Sequence, residues 1–343
     1  MKLFLLSIGF ILLTLGMQEI SSILLILFFS FFTALIFAPL VRWLQRKRVP
    51  PLISVGMVLL LFILITAVFG LLTSVTVTQL SERIPVYETE LTEYTETIVQ
   101  YIPSVEEISI QGILQDIVAS LVGFGMRILN GIINATTTIL LILFITTFLL
   151  LDSAGTSQKI KKELGEEFVL LEKLHDLGKV VMRYVIVRTE TNLITALGIT
   201  VILFIANIEF AIFWGVVIFI FSYIPFIGLT LASIPPALLA LLQYGPAGAI
   251  ILIISILFIN LLADEVLFPS LAGRDLELSP SVVLLSLIYW TYVLGPAGAI
   301  ISTPLIISIK IILESFEETE ELSKLMNSKE NHKREKKSDD KET

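Results

Sequence analysis

Seven long tracts of this chain carry no charged side chain: Leu3–Gln18, Ile20–Val41, Val49–Ser81, Ile128–Leu151, Thr191–Ile208, Phe210–Ala263 and Leu278–Ile309. About twenty apolar residues cross a hydrocarbon core roughly 30 Å thick. A soluble helical core would have to hide several such tracts from water at once. Only 16% of the residues are charged, where soluble chains carry about a quarter, and the mean hydropathy is +0.91. The fold expected is all-α: a polytopic bundle of transmembrane helices.

The charges that remain are clustered. Seventeen of the fifty-four fall in residues 314–343, a mixed-charge, low-complexity stretch that reads as a disordered cytoplasmic tail. The net charge of −8 comes from this tail and one loop, so it does not point to nucleic acid. Orientation follows from Lys and Arg in the short loops. Arg42, Arg46, Lys47 and Arg48 form a basic knot, and residues 152–190 hold seven basic side chains; residues 79–127 hold eight acidic and two basic. The basic segments belong in the cytoplasm, the acidic one outside, and both termini inside. The first apolar run, preceded by Lys2 alone and lacking a small-residue cleavage site, reads as a retained span. The expected organisation is membrane helices over 1–78, an extracytoplasmic helical segment over 79–127, and a membrane helix over 128–151. A cytoplasmic amphipathic segment over 152–190, a transport core over 191–313 and the tail follow. Both polar segments carry helical stripes: Tyr87, Leu91, Tyr94, Ile98 and Tyr101 after Pro85, and Ile160, Leu164, Phe168, Leu171, Leu174 and Val181.

The hexapeptide GPAGAI occurs twice, at Gly245–Ile250 and Gly295–Ile300, each time between apolar runs too short for comfortable upright spans. Glycine sits well just past a helix end and proline at the first helical turn, so each copy stops one helix and starts the next. Gly245, Pro246 and Gly248, and Gly295, Pro296 and Gly298, are read as tips of two helical hairpins whose small residues let backbones approach. The hairpins are either re-entrant or full spans. Short, Gly/Pro-interrupted segments in corresponding places point to a transport site; a tight turn between ordinary spans fits the same residues.

Phosphate-loop, HExxH and GxSxG signatures are missing, so no enzymatic chemistry is expected. Zero cysteines remove thiol chemistry and disulfides, and no metal site or cofactor is expected. Polar groups inside apolar runs are costly and therefore informative. Tyr184, Arg188, Thr191, Asn192 and Thr195 make one polar stripe entering a span, either a substrate path or interhelical hydrogen bonding with a snorkelling arginine. Asn260 and Asp264 lie one turn apart with Glu265 adjacent, either coupling-ion ligands or a helix end reaching water. "SYIPFIG", with Tyr223, Pro225 and Gly228, interrupts the longest tract and reads as a broken helix, acceptable at that depth only where buried in protein or facing a wet cavity.

These segments resemble the autoinducer-2 exporter family of membrane transporters over roughly Tyr184–Glu314. The similarity is carried by "YVIVRTETNLITAL", "FAIFWGVVIFIFSYIPFIGLTLASIPPALLAL", "FPSLAGRDLELSPSVVLLSLIYW" and "LGPAGAIISTPLIISIKIILE". Ser222 stands where the family has Asn, and "DEVLFP" replaces its N-x-[LI]-E-P pattern, which moves the carboxylates. The resemblance implies a secondary transporter in the cell membrane, with hairpins in a moving domain and a homo-oligomer, plausibly pentameric. The function expected is export of a small polar solute. Sodium or lithium/proton antiport through Asp264 and Glu265 is the alternative, and a membrane scaffold whose amphipathic helices recruit partners is a third reading.

Overall fold

The computed structural model describes residues 2–101, 110–152, 169–272, 278–316 and 319–327. They form α1 (Lys2–Glu19), α2 (Ser21–Arg46), α3 (Pro51–Tyr101), α4 (Ile110–Asn134), α5 (Thr136–Asp152), α6 (Val169–Ile205), α7 (Ala211–Phe221) and α8 (Gly228–Leu261). A π-helical turn (Leu262–Leu267), α9 (Phe268–Ala272), α10 (Pro280–Leu294), α11 (Pro296–Glu314) and α12 (Glu320–Lys324) complete the order. No strand occurs among the described residues; a single bridge pairs Leu278 with Asn327. The chain is the all-helical polytopic membrane protein the sequence predicts. Among the described residues, five helices are long and apolar enough to cross a membrane: Ser21–Arg46, Pro51–Arg83, Gly178–Ile205, Gly228–Leu271 and Pro296–Glu314. Large apolar side chains such as Leu60, Phe204 and Ile251 stand exposed on them. Hydrocarbon is the solvent that matches that surface.

Local sequence sets the helix ends. α2 stops at the basic knot, where Arg48 takes a left-handed φ of 67°, and α3 restarts on Pro51 at its first position. α3 runs through Pro85, after which the outer helical stripe begins, to Tyr101. The proline frees one carbonyl where the helix leaves its apolar stretch, and water can satisfy that group there. Similarly, α6 continues unbroken across residue 190, the expected boundary of the transport core. Residues 160–168 of the inner stripe and the tail beyond 327 lie outside the described residues.

α6 is the spine. Its Ile199 and Leu203 pack in one cluster with Phe213, Trp214 and Ile218 of α7 and with Leu239, Leu242, Leu252 and Ile256 of α8. Its Val181, Tyr184, Val185 and Val187 pack in another, with Phe32 of α2, Trp290 and Leu294 of α10, and Ile301 and Leu305 of α11. The two Gly-Pro hairpins thus pack against different lengths of α6. Small and polar residues close the interfaces where apolar burial offers no drive within lipid. Ser30 donates to the Ile142 carbonyl at 3.2 Å and Thr146 to the Ser30 carbonyl at 3.2 Å, tying α2 to α5. Ser286 donates to the Ser302 carbonyl at 2.9 Å, tying α10 to α11.

Both hexapeptides build the same turn. Gly245 has φ 69° and ψ −171°, and Gly295 has φ 71° and ψ −164°, a backbone region open essentially to glycine alone. Pro246 and Pro296 follow, the latter as the first residue of α11. The third small residue repeats its role as well. A Cβ on Gly248 would strike the Tyr244 side chain and sit 3.4 Å from the Ala240 carbonyl; one on Gly298 would strike the Leu294 side chain and the Trp290 carbonyl.

Candidate functional site

Where α7 ends, the chain turns through residues 222–227 before α8 begins at Gly228. The broken helix expected at "SYIPFIG" is present. Its left-handed residue is Phe226, at φ 62°, while Gly228 serves a different need: a Cβ there would strike the Phe221 carbonyl. The break lies beside the polar stripe of α6. Arg188 donates from Nη1 to Asp264 Oδ1 at 2.7 Å and from Nη2 to the Ser222 carbonyl at 2.7 Å. Its guanidinium carbon lies 5.7 Å from the Phe268 ring centre, within cation–π range. One side chain therefore joins α6, the break and the π-helical turn. The carbonyl it takes from Ser222 is one that a break inside the bundle must place somewhere.

Around this junction is a cavity of about 40 Å³ lined by Arg188, Asn192 and Thr195 of α6, Ser222, Ile224 and Phe226 of the break, Leu229 and Asn260 of α8, and Asp264. Leu229 and Asn260 lie at the far ends of the two α8 arms, so the kink at Gly245 brings them together. Asn192 is 2% exposed, and its Nδ2 has no hydrogen-bond partner. A buried donor left unmet costs the desolvation of that group, so an acceptor oxygen entering the cavity would relieve it. Room for roughly one or two waters remains, well short of the several hundred Å³ of a solute pocket.

Not every polar residue singled out in the sequence faces this space. Thr191 is buried but gives its hydroxyl to the Val187 carbonyl at 2.8 Å. Tyr184 is 7% exposed and packs edge-on against Phe268, 6.2 Å between ring centres. Tyr223 meets Thr189 at 2.7 Å, hydroxyl to hydroxyl. Pro225 lies within the break, and its carbonyl accepts from the Ile227 N–H at 2.7 Å. Asn260 and Asp264 line the cavity, whereas Glu265 is exposed and does not. Sequence reasoning missed the Ser222 carbonyl, Phe268 and the π turn. The available signal was Pro269, which has no N–H for the carbonyl four residues back, at Glu265.

A family model described as AI-2E family transporter matches residues 3–318. The chain belongs to this transporter family. Among its relatives, the AI-2 transport protein TqsA of Escherichia coli is 28% identical over 304 residues, covering 87% of this chain and 88% of that protein. The putative transport protein YhhT of Escherichia coli is 27% identical over 303 residues, covering 88% and 86%. A putative transport protein of Haemophilus influenzae is 27% identical over 336 residues, covering 93% and 94%. In this chain the carboxylate that pairs with Arg188 is Asp264.

Proposed function

We propose that the chain is a secondary transporter that moves a small polar solute out across the plasma membrane, with both termini cytoplasmic. The observation that carries the reading is a polar cavity at a helix break, walled by both arms of a Gly-Pro hairpin and holding a buried, unpartnered amide donor, Asn192 Nδ2. Its lining offers donors from Arg188 and Asn192 and acceptors from Thr195, whose own hydrogen goes to the Thr191 carbonyl at 3.0 Å, and from Asn260 and Asp264, a set suited to an oxygen-rich, hydroxylated solute. Autoinducer-2, the solute in the name of the TqsA relative, has that chemistry and is the first compound to try. Each chain carries its own complete cavity, and assembly into a homo-oligomer, a pentamer by family resemblance, would place several in one particle. Counterflow in proteoliposomes tests the proposal: loaded vesicles should accumulate labelled autoinducer-2, and Asn192→Leu should reduce that accumulation at least tenfold. A wild-type protein that exchanges no solute of this class removes it.

Cation/proton antiport keeps one supporting observation, the Asn260 and Asp264 oxygens on the cavity wall. Glu265, the second carrier in that reading, stands outside the cavity. Dissipation of a pH gradient by sodium or lithium, lost in Asp264→Asn and retained in Glu265→Gln, would favour antiport through Asp264 alone.

A further inference from the structure

A second cavity lies between α2, α5 and α6, meeting α6 at Met182, between one and two turns before Arg188. It holds about 280 Å³ and opens along one face of α2, from Phe31 through Ala34 and Ala38 to Arg42, with Leu149 of α5 and Met182 of α6 opposite. These α2 positions recur at spacings of three and four, so they form one stripe. With Gln45 closing the polar end, the stripe is about 21 Å long at 1.5 Å per residue, more than one leaflet of a roughly 30 Å hydrocarbon core. Alanine at 34 and 38 opens the floor; a larger side chain at either would fill it.

The chemistry of the groove is graded. Its deep end is hydrocarbon, and its mouth is a guanidinium. Arg42 Nε donates to the Ala38 carbonyl at 3.3 Å and Nη2 makes a long contact of 3.6 Å to Met182 Sδ. No described carboxylate pairs with it. The level of the mouth is marked by Trp43, half exposed, with the Lys47 ammonium 4.1 Å from its ring centre. Tryptophan concentrates at membrane–water interfaces, and Arg46, Lys47 and Arg48 follow at once. The Arg42 end of the groove therefore sits at headgroup depth beside a basic cluster that no described carboxylate neutralises, and its Phe31 end at acyl-chain depth.

We propose that this groove is a binding site for an anionic phospholipid, with one acyl chain lying along Phe31, Ala34 and Ala38 and the headgroup phosphate on Arg42. An arginine fork matches the phosphate oxygens that any phospholipid offers; the preference for an anionic headgroup comes from its net charge, which no choline ammonium offsets beside Arg42. Because Met182 lies on α6, the helix that carries Arg188, the bound lipid would bridge α2 to the spine of the polar site. A zwitterionic lipid could fill the apolar length without the same preference at the mouth.

Native mass spectrometry of the detergent-purified full chain, titrated with phosphatidylglycerol or phosphatidylcholine of the same chains, tests this. The wild type should retain phosphatidylglycerol roughly fivefold more tightly, the contribution of one basic residue facing anionic lipid. Arg42→Gln should bring the two lipids level, while Arg48→Gln keeps the preference. Ala38→Trp should remove the tightly held lipid of either class; if that variant does not fold, Arg42→Gln decides alone. Equal retention of both lipids by wild type overturns the proposal, as does a preference surviving in Arg42→Gln. Glycerol 3-phosphate competing as well as the whole lipid would overturn the acyl-chain half. A lower subunit number in Ala38→Trp with its lipid count unchanged would show that the groove seats a second copy instead, and would overturn it too.

Discussion

Arg188 shows what a single side chain can be asked to do inside a membrane protein. A charged residue in a span is costly unless paired, and here its two donors go to a carboxylate and to a carbonyl that the helix break releases. Lysine, a point charge, lacks the fork that reaches both. Removal of the second partner should therefore cost less once the first is gone. In thermal unfolding of detergent-purified protein, Arg188→Gln and Asp264→Asn should each lower Tm by several degrees, while the double variant falls short of their sum by about 1–2 kcal/mol of coupling. Additive losses would mean that the contact carries no energy. The sequence made Arg188, Asn192, Thr195, Asn260 and Asp264 visible, since a polar residue in an apolar run stands out. It did not show which of them meet. Helical spacing puts Thr191 and Asn192 next to each other, but only Asn192 turns into the cavity, and that choice depends on where the break packs, some thirty residues later. Glu265 was singled out with Asp264 for the same reason and lies on the outer side of the turn.

At the scale of elements, the Gly-Pro turns were legible because glycine and proline act through the backbone, where rules are local. Two glycines in each copy have different duties, which the sequence alone could not separate. Gly295 has open space around its missing Cβ but a φ of 71°; Gly298 carries no such φ and has no space, facing the Trp290 carbonyl. Gly295→Ala should cost about 1–3 kcal/mol from backbone strain alone, with the hairpin still packed. Gly298→Ala must displace a backbone carbonyl and should be the more damaging for counterflow. Gly248→Ala meets mainly the Tyr244 side chain, so its loss should be smaller than that at 298. A reversed order at 248 and 298, read as Tm and flux together, would mean that the hairpin contacts are not what holds the tips. The continuous α3 and the π turn were hidden for the opposite reason. A proline predicts a break wherever it falls, yet Pro85 and Pro269 each lie where the surroundings let a helix pass.

The whole molecule poses a question of volume. A cavity of about 40 Å³ admits water and excludes any solute of the class proposed, so this arrangement is a closed one and transport requires its walls to separate. The walls belong to α6, the break and the two arms of α8, and the second arm of α8 rests on α6 where Gly198 faces Ile259. A Cβ on Gly198 would lie 3.1 Å from Ile259 Cδ1 and 3.5 Å from its Cγ2. Transport then calls for α8 to move against α6 at this contact while the α10–α11 hairpin, packed on another length of α6, need not follow. The chain has no cysteine, so Gly198→Cys with Ile259→Cys would introduce its only thiols, at a contact close enough for oxidation to bridge them. Replacing Ile259 at the same time removes the side chain that a Cβ at 198 would crowd. Oxidised, the double variant should lose counterflow by more than tenfold, and reduction should restore it; each single variant should be indifferent to oxidant. A cross-linked protein that still exchanges solute at the wild-type rate would place the moving boundary elsewhere, leaving the α10–α11 hairpin as the element that must shift.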